Sequence, residues 1–293
     1  MRKSSASNLV FPEVLNELNR GEPVRLDAVG GGCIAQARIA TFGDGSTVFV
    51  KTAEGSPGMF ACEAEGLAAL AAADAIRTPE VLAVGEGGLV LELIHTAPRC
   101  ADFFGIFGRN FASLHAHHGQ VFGFASNNFI GSTAQINTPV GNGDSWPEFF
   151  FERRLRFQVE LAGANGHGHE LQRLLDAGEH RIMELLGASV EPPSILHGDL
   201  WGGNYLVDEE GMPCLIDPAV YFGHREADLA MTRLFGGFDT AFYSAYTEEF
   251  PLAAGHEERL PLYQLYHLLN HLNLFGSAYY MQSFQILQRY ATT

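Results

Sequence analysis

One polar octapeptide in this chain has the residue types and spacing of a phosphoryl-transfer centre. It reads His197-Gly198-Asp199-Leu200-Trp201-Gly202-Gly203-Asn204, and a second aspartate, Asp217, follows it. Transfer of a phosphoryl group to a hydroxyl needs a group that accepts the hydroxyl proton and oxygen ligands for the Mg²⁺ that accompanies ATP. A histidine, aspartate and asparagine at this spacing supply both. The pattern predicts Asp199 as the base, and Asn204 and Asp217 as metal ligands.

The segments around the octapeptide are suited to hold it in place. Residues 194–196 lead into it from a buried segment, and a hairpin of residues 205–207 and 214–216 carries the chain on to Asp217. Aspartate, asparagine and glycine are also ordinary turn residues, so each match alone would be weak. The joint spacing of histidine, aspartate, asparagine, hairpin and second aspartate favours catalysis.

Lys51 is the candidate phosphate ligand. The chain has only two lysines, Lys3 and Lys51, while its other fixed positive charges are arginines. Lys51 ends a β-branched strand, as the ATP-binding lysine of protein kinases does. The helix that follows offers Glu63 or Glu65 as its ion-pair partner. We prefer Glu63, because it stands four residues before Leu67, which can seat the helix against the sheet.

Two further segments are predicted to contact ATP. A glycine triplet that could cover the phosphates lies one hairpin before Lys51, at Gly30, Gly31 and Gly32. It departs from the G-x-G-x-x-G pattern, so a simple flexible turn stays an alternative. Residues 89–93 resemble a hinge strand, in which the backbone of Glu92 and Leu93 would meet the adenine. An ordinary core strand would have the same sequence.

The periodicity predicts an α+β, protein-kinase-like fold with two lobes. Residues 1–93 read as an antiparallel sheet with one helix, and residues 94–293 as a mainly helical lobe with the catalytic loop and the acceptor pocket. Helices are expected at 103–115, 147–162, 170–186 and 260–274. We expect Arg153, Arg154 and Arg156 to lie on a solvated or salt-bridged helix face.

Composition narrows the possible partners. The chain has 293 residues and a formal net charge of −16. Nucleic acids and anionic membrane surfaces are therefore unexpected partners, because both require a basic surface. Its four cysteines are scattered without a CxxC pair, and no secretory signal is apparent, so we expect a reducing, cytoplasmic location.

Several segments together resemble the fructosamine kinase family, the ketosamine-3-kinases related to aminoglycoside phosphotransferases. The resemblance lies in the octapeptide and in residues 217–226, 234–238 and 266–271. Residues 128–132 look like the bacterial branch of the family. The resemblance extends from about Gly30 to Gly276.

The resemblance implies that ATP phosphorylates the 3-hydroxyl of a ketosamine, the adduct of a sugar on an amine. The 3-phosphate is then unstable, and its loss releases the free amine. Substrates would be a small ketosamine or a glycated protein lysine, with ribulosamines or erythrulosamines favoured over fructosamines. Trp201 would stack on the sugar or hold the cationic amine, and His271 would line the acceptor pocket. A core anchor for Trp201 and a structural histidine at position 271 stay open.

Two alternatives and one regulatory hypothesis remain. The chain could phosphorylate another small alcohol or an aminoglycoside, or bind without catalysis as a pseudokinase. We expect a monomer or a homodimer. Cys33 lies next to the glycine triplet, and we hypothesise that its oxidation inhibits the enzyme; a small residue fitting a tight turn is the alternative.

Overall fold

The computed structural model describes residues 12–30, 35–53 and 58–291. The chain divides into two compact units, residues 1–64 with 79–93 and residues 65–78 with 94–293. Residues 65–78, which the periodicity places in the first lobe, thus group with the second unit. Gly31, Gly32 and Cys33 lie outside the described residues.

Five strands make up most of the first unit: β1 (Arg25–Val29), β2 (Gln36–Thr41), β3 (Thr47–Thr52), β4 (Val81–Gly85) and β5 (Gly88–Glu92). They form an antiparallel sheet in the order β1-β2-β3-β5-β4. The predicted turn at Asp44 and Gly45 joins β2 to β3, where the Asp44 carboxylate accepts the backbone N–H of Ser46 at 2.9 Å. The β-branched residues of β3 suit this pleated surface.

A small apolar core covers one side of this sheet. Val48 and Val50 of β3 and Val90 of β5 are buried against a short 3₁₀-helix, Glu13–Leu18, which supplies Val14. These two β3 residues are two positions apart and therefore point to the same face of the sheet. Lys51 directly follows Val50 on this strand and therefore points to the opposite face.

Helices dominate the second unit. They are α2 (Phe103–His115), α3 (Trp146–Phe150), α4 (Phe157–Ala164), α5 (His169–Gly187), α6 (Glu226–Leu234), α7 (Thr240–Glu249), α8 (His256–Phe275) and α9 (Tyr280–Ala291). Helix α1 (Met59–Ala72) begins in the first unit and ends in the second. The four predicted helices are present, whereas α6, α7 and α9 were not predicted. Helix α6 lacks a clear apolar stripe because its buried residues include Glu226, Asp228 and Thr232.

The helix predicted at 147–162 is interrupted. A π-helical turn, Phe151–Arg156, joins α3 to α4. The wider turn changes which side chains face inward. The expectation that all three arginines lie on a solvated or salt-bridged face is wrong for Arg154, which is completely buried and donates to carbonyl and amide oxygens. Arg156 does lie in a surface network, with ion pairs to Glu152, Asp176 and Glu179.

Three two-stranded ladders complete the second unit. They pair β6 (Asn128–Ile130) with β7 (Thr133–Gln135), β8 (Ser194–Leu196) with β11 (Tyr221–Gly223), and β9 (Tyr205–Val207) with β10 (Pro213–Leu215). Leu196 is the register partner of Tyr221. This pairing places the chain entering the octapeptide beside the chain leaving Asp217.

Two hydrophobic cores support these ladders. One surrounds α3, α4, α5, α8 and α9. The other is rich in phenylalanine, joins α2 to α7, and includes Leu200 of the octapeptide and Leu215 of β10. Leu200 is fully buried, so the octapeptide is anchored in the interior at its centre.

Candidate active site

The imidazole of His197 ties the octapeptide to the chain that precedes Asp217. Its Nδ1 accepts the backbone N–H of Asp199 at 3.3 Å, and its Nε2–H donates to the carbonyl of Ile216 at 2.9 Å. Burial lowers the pKa of His197, which keeps the ring neutral. The neutral ring can therefore accept at one nitrogen and donate at the other.

Asn204 and Asp199 are in direct contact. The Nδ2 of Asn204 donates to the backbone carbonyl of Asp199 at 2.8 Å and to its carboxylate at 3.2 Å. Because Nδ2 makes both contacts, the Oδ1 of Asn204 is left to act as an acceptor or a ligand.

The negative charge of Asp217 acts on the carboxylate of Asp199. Burial, and then the negative charge of Asp217, raise the pKa of Asp199 well above its usual range, and the Asn204 hydrogen bond only partly opposes this shift. Two carboxylates and an amide oxygen are hard donors of the kind that Mg²⁺ prefers, and a cation would relieve the repulsion. The residues present therefore fit the metal that ATP brings. The described residues include no cluster of three or more His, Cys, Asp or Glu side chains that would form a separate metal site.

Asp217 has a left-handed backbone conformation, with φ of 55°. This conformation costs a non-glycine residue roughly 1–2 kcal/mol, so neighbouring contacts must maintain it. On the N-terminal side, the N–H of Ile216 donates to the carbonyl of Asn204 at 3.1 Å. On the C-terminal side, the N–H of Ala219 donates to the carbonyl of His197 at 2.8 Å.

Gly198 permits the close approach of these two segments. Its φ is 82°, and a Cβ at this position would collide with the carbonyl oxygen of Ala219. Any side chain at position 198 would therefore separate the octapeptide from the segment after Asp217.

Asp228 on α6 holds the start of the octapeptide by hydrogen bonds to its backbone. Its carboxylate accepts the backbone N–H of His197 at 2.6 Å and that of Gly198 at 2.8 Å. Burial alone would raise the pKa of Asp228, but the hydrogen bonds from His115 and from the backbone N–H of Gly198 help to outweigh it, and the pKa is lowered. Asp228 is not among the residues predicted for the site. It lies in the polar run Arg225-Glu226-Ala227-Asp228, whose burial is not apparent from the sequence.

A chain of buried polar groups supports Asp228. His115, at the end of α2, donates from Nε2 to Asp228 at 3.3 Å and accepts at Nδ1 from the hydroxyl of Tyr246 at 2.7 Å. Tyr246 in turn accepts from Arg225 at 3.3 Å, and Arg225 forms an ion pair with Glu191 at 2.7 Å. The octapeptide is thereby linked to α2 and α7.

In the first unit, Lys51 and Glu63 form an ion pair. Lys51 Nζ lies 2.6 Å from Glu63 Oε1, and both side chains are largely buried. Glu65, the alternative partner, accepts a hydrogen bond from Ser126 at 2.6 Å instead. A lysine held in this way presents a compact charge in a fixed position.

The other predicted ATP contacts are at the ends of strands. Gly30 directly follows β1, and Glu92 is the last residue of β5. The backbone N–H of Glu92 donates to the carbonyl of Glu80 at 2.9 Å. Leu93 is half-buried next to it. The adenine contact at Glu92 and Leu93 remains a prediction.

Aromatic side chains form a row that begins at the octapeptide. Trp201, 40% exposed, packs edge-on against Phe235, with ring centroids 6.4 Å apart. Phe235 packs on His271 at 4.6 Å, and His271 contacts Phe275 at 5.4 Å and Tyr279 at 5.1 Å. Trp201 and His271 are thus brought together by Phe235, which the sequence analysis did not single out as a site residue. We call these five residues the aromatic row.

The tautomer of His271 is set by its own helix. Its Nδ1–H donates to the carbonyl of His267, one turn earlier on α8, at 2.8 Å. Burial lowers the pKa of His271, so the ring is neutral. Its Nε2 is therefore a hydrogen-bond acceptor within the aromatic row.

Comparison with known proteins identifies the family. The model of the family described as fructosamine kinase matches residues 13–293. The chain belongs to the fructosamine kinase family. A family member from Oryza sativa subsp. japonica, a chloroplastic protein-ribulosamine 3-kinase, is 39% identical over 98% of this chain and 88% of its own.

Solved structures agree with this family membership. A Haemophilus somnus protein assigned to the fructosamine-3-kinases superposes with a TM-score of 0.84 and 28% identity, over 94% of this chain and 96% of that one. The aminoglycoside phosphotransferase APH(2'')-Ib superposes with a TM-score of 0.65 at 11% identity, over 96% of this chain and 98% of that one, and shows the shared fold. The predicted protein-kinase-like α+β fold and the family resemblance are confirmed.

No helix in the part of the chain that the structure describes has the length and apolar character of a membrane span.

Proposed function

We propose that this protein is an ATP-dependent ketosamine 3-kinase. The observation that carries the proposal is the contact between Asn204 and Asp199 beside the aromatic row. It combines a proton acceptor and oxygen ligands with a surface for a sugar amine. Family membership over residues 13–293 supports the same activity, as do relatives named for ribulosamine and ketosamine 3-kinase activity.

Each catalytic group has a role in the transfer. The carboxylate of Asp199 accepts the proton of the 3-hydroxyl, whose oxygen forms a bond to the γ-phosphorus. The bond between the γ-phosphorus and the β-phosphate oxygen breaks, and ADP leaves. Lys51, held by Glu63, would bind the α- and β-phosphates. Asn204 and Asp217 would hold Mg²⁺, which would offset the negative charge of the phosphates when bound.

The aromatic row supplies the acceptor site. The secondary ammonium of a ketosamine can lie against the exposed face of Trp201 as a cation–π contact. The neutral Nε2 of His271 can accept a hydrogen bond from a sugar hydroxyl or the ammonium. The substrate is a small ketosamine or a ketosamine on a protein lysine, and we place the reaction in the cytoplasm.

A substrate panel tests the proposal. Purified protein with ATP and Mg²⁺ is given ribuloselysine, erythruloselysine, fructoselysine or an aminoglycoside. ADP formation with a ketosamine, followed by release of phosphate and free lysine, is expected. Turnover of aminoglycosides alone would refute the proposal. Asp199→Asn is the matched control, because it removes the base while keeping the shape of the side chain.

A further inference from the structure

The β6–β7 hairpin contributes to a buried polar cluster that the proposed chemistry does not use. The cluster consists of Asn128, Gln135, Asn137, Arg154 and Tyr266, whose exposures are 5%, 1%, 0%, 0% and 2%. Buried polar groups cost free energy unless they are hydrogen-bonded. Their hydrogen-bond partners therefore indicate what the cluster holds in place.

Two amide groups of this cluster donate to the segment that follows Asp217. Gln135 Nε2 donates to the carbonyl of Ala219 at 3.0 Å, and Asn128 Nδ2 donates to the carbonyl of Val220 at 2.7 Å. These carbonyls follow Asp217 by two and three residues. The donors lie more than eighty residues earlier in the chain, as the separations of 84 and 92 show.

The rest of the cluster fixes the orientation of these two amides. Asn128 Oδ1 accepts from both Gln135 and Asn137, each at 2.8 Å. Gln135 Oε1 accepts from the hydroxyl of Tyr266 at 2.6 Å. Because both amide oxygens are occupied, the amide nitrogens must face Ala219 and Val220.

Arg154 completes the cluster from the π-helical turn. Its guanidinium donates to the side-chain oxygen of Asn137 and to the carbonyl of Ile136, each at 2.7 Å. It also lies 4.1 Å from the ring centroid of Tyr221, on β11. Both ends of the cluster are therefore attached to the chain just after Asp217.

We propose that this cluster positions Asp217 for the cation, with Asn128 and Gln135 acting as positioning residues for Mg²⁺-dependent ATP binding. Asp217 has the unfavourable left-handed conformation, which persists only where the surroundings impose it. His197 and Asn204 fix the backbone on its N-terminal side, while the cluster fixes Ala219 and Val220 beyond it. The inference rests on the proposed function, because it takes Asp217 as a ligand.

Nucleotide binding without turnover tests the inference. Gln135→Met keeps the volume of the side chain but removes the donor to Ala219, together with the hydrogen bonds to Asn128 and from Tyr266. The affinity for ATP is measured by titration calorimetry with and without Mg²⁺. We expect Mg²⁺ to improve ATP binding in wild type, and the variant to lose roughly 5- to 30-fold of that gain, the effect of losing the one hydrogen bond that acts on the segment after Asp217. ATP binding without Mg²⁺ should be unchanged.

Two controls separate positioning from general destabilisation. Ala134→Ser changes the exposed neighbour on the same strand and should behave as wild type. Leu287→Ala removes a buried side chain of α9; it should lower the melting temperature but keep the full Mg²⁺ effect. If Gln135→Met does not fold, Asn128→Ala tests the donor to Val220 in the same way.

The outcomes are distinct. An undiminished Mg²⁺ effect in a folded variant would overturn the positioning role, while wild type still supports the proposed function. An equal loss with and without Mg²⁺ would also overturn it, because it indicates a structural role alone. Absence of ATP binding by wild type would instead refute the proposed function.

Discussion

The carboxylate of Asp228 lies 2.6 Å from the backbone nitrogen of His197. The same carboxylate accepts hydrogen bonds from the backbone N–H of Gly198 and from the imidazole of His115. A residue that would not touch substrate therefore determines the backbone path that leads to Asp199.

Replacement of this carboxylate by an amide should loosen the loop. In Asp228→Asn, one acceptor oxygen becomes a donor that faces backbone N–H groups. We expect a stability loss of about 1–3 kcal/mol and a fall in kcat of at least about tenfold. Chemical denaturation and steady-state kinetics measure both. Asp239→Asn, at the exposed N-terminus of α7, is the control and should change little, because asparagine caps helices as well as aspartate.

Gly198→Ala should damage the site through the backbone. The positive φ alone costs a non-glycine residue roughly 1–2 kcal/mol, and the added methyl group collides with the carbonyl of Ala219. We expect a larger total loss of stability, together with loss of activity. Thermal melting and a kinase assay would reveal it, and a variant with the stability and rate of wild type would contradict the geometry.

Trp201→Leu should weaken binding of the acceptor but not of ATP. Loss of the contact with a cationic amine is worth about 1–2 kcal/mol, which corresponds to a roughly 5- to 30-fold higher KM for the ketosamine. The KM for ATP should stay within about twofold of wild type. Met281→Ala is the matched control, because it removes an exposed apolar side chain of α9. Equal acceptor KM values in all three proteins would contradict the assignment.

Stability should fall in acid because of His267. Burial, and then His271, lower the pKa of His267 from 6.5 to about 3. Below pH 6.5 the unfolded chain binds a proton at His267 that the native protein does not bind. The free energy of unfolding is therefore unaffected by His267 well above pH 6.5 and decreases as the pH falls below it. Between pH 7.5 and 5 this decrease amounts to about 2 kcal/mol.

His267→Leu should remove the part of the pH dependence of the free energy of unfolding that His267 causes. Denaturant unfolding at several pH values measures this change. Leu268→Ala is the control, because it removes a buried side chain without a titrating group and should lower stability equally at every pH. An unchanged slope in His267→Leu would show that another group causes the acid loss.

Local patterns were sufficient for some parts of this molecule. The strands of the first sheet follow from β-branched runs and a turn at Asp44. The spacing of Asp199 and Asn204 predicted two residues that the structure brings into contact. These features depend on residues that are close in sequence, so they can be predicted from one sequence alone.

Other features depend on tertiary contacts and could not be predicted. Asp228 and His115 are polar residues whose burial comes from packing between helices distant in sequence. Arg154 is buried because the π-helical turn alters the helix face, and the regular 3.6-residue period does not foresee this. Phe235 joins Trp201 to His271 only in three dimensions.

The burial of Arg154 also has a consequence for the order of folding. Its charge is removed from water and, within the part of the chain that the structure describes, is hydrogen-bonded to carbonyl and amide oxygens of residues 136, 137 and 153. If the α3–α4 helix packed into the core before residues 136 and 137 were in place, the guanidinium of Arg154 would be buried without these hydrogen-bond partners, at a large cost in free energy. The helix and residues 128–137 should therefore become protected from hydrogen exchange together, as one cooperative unit.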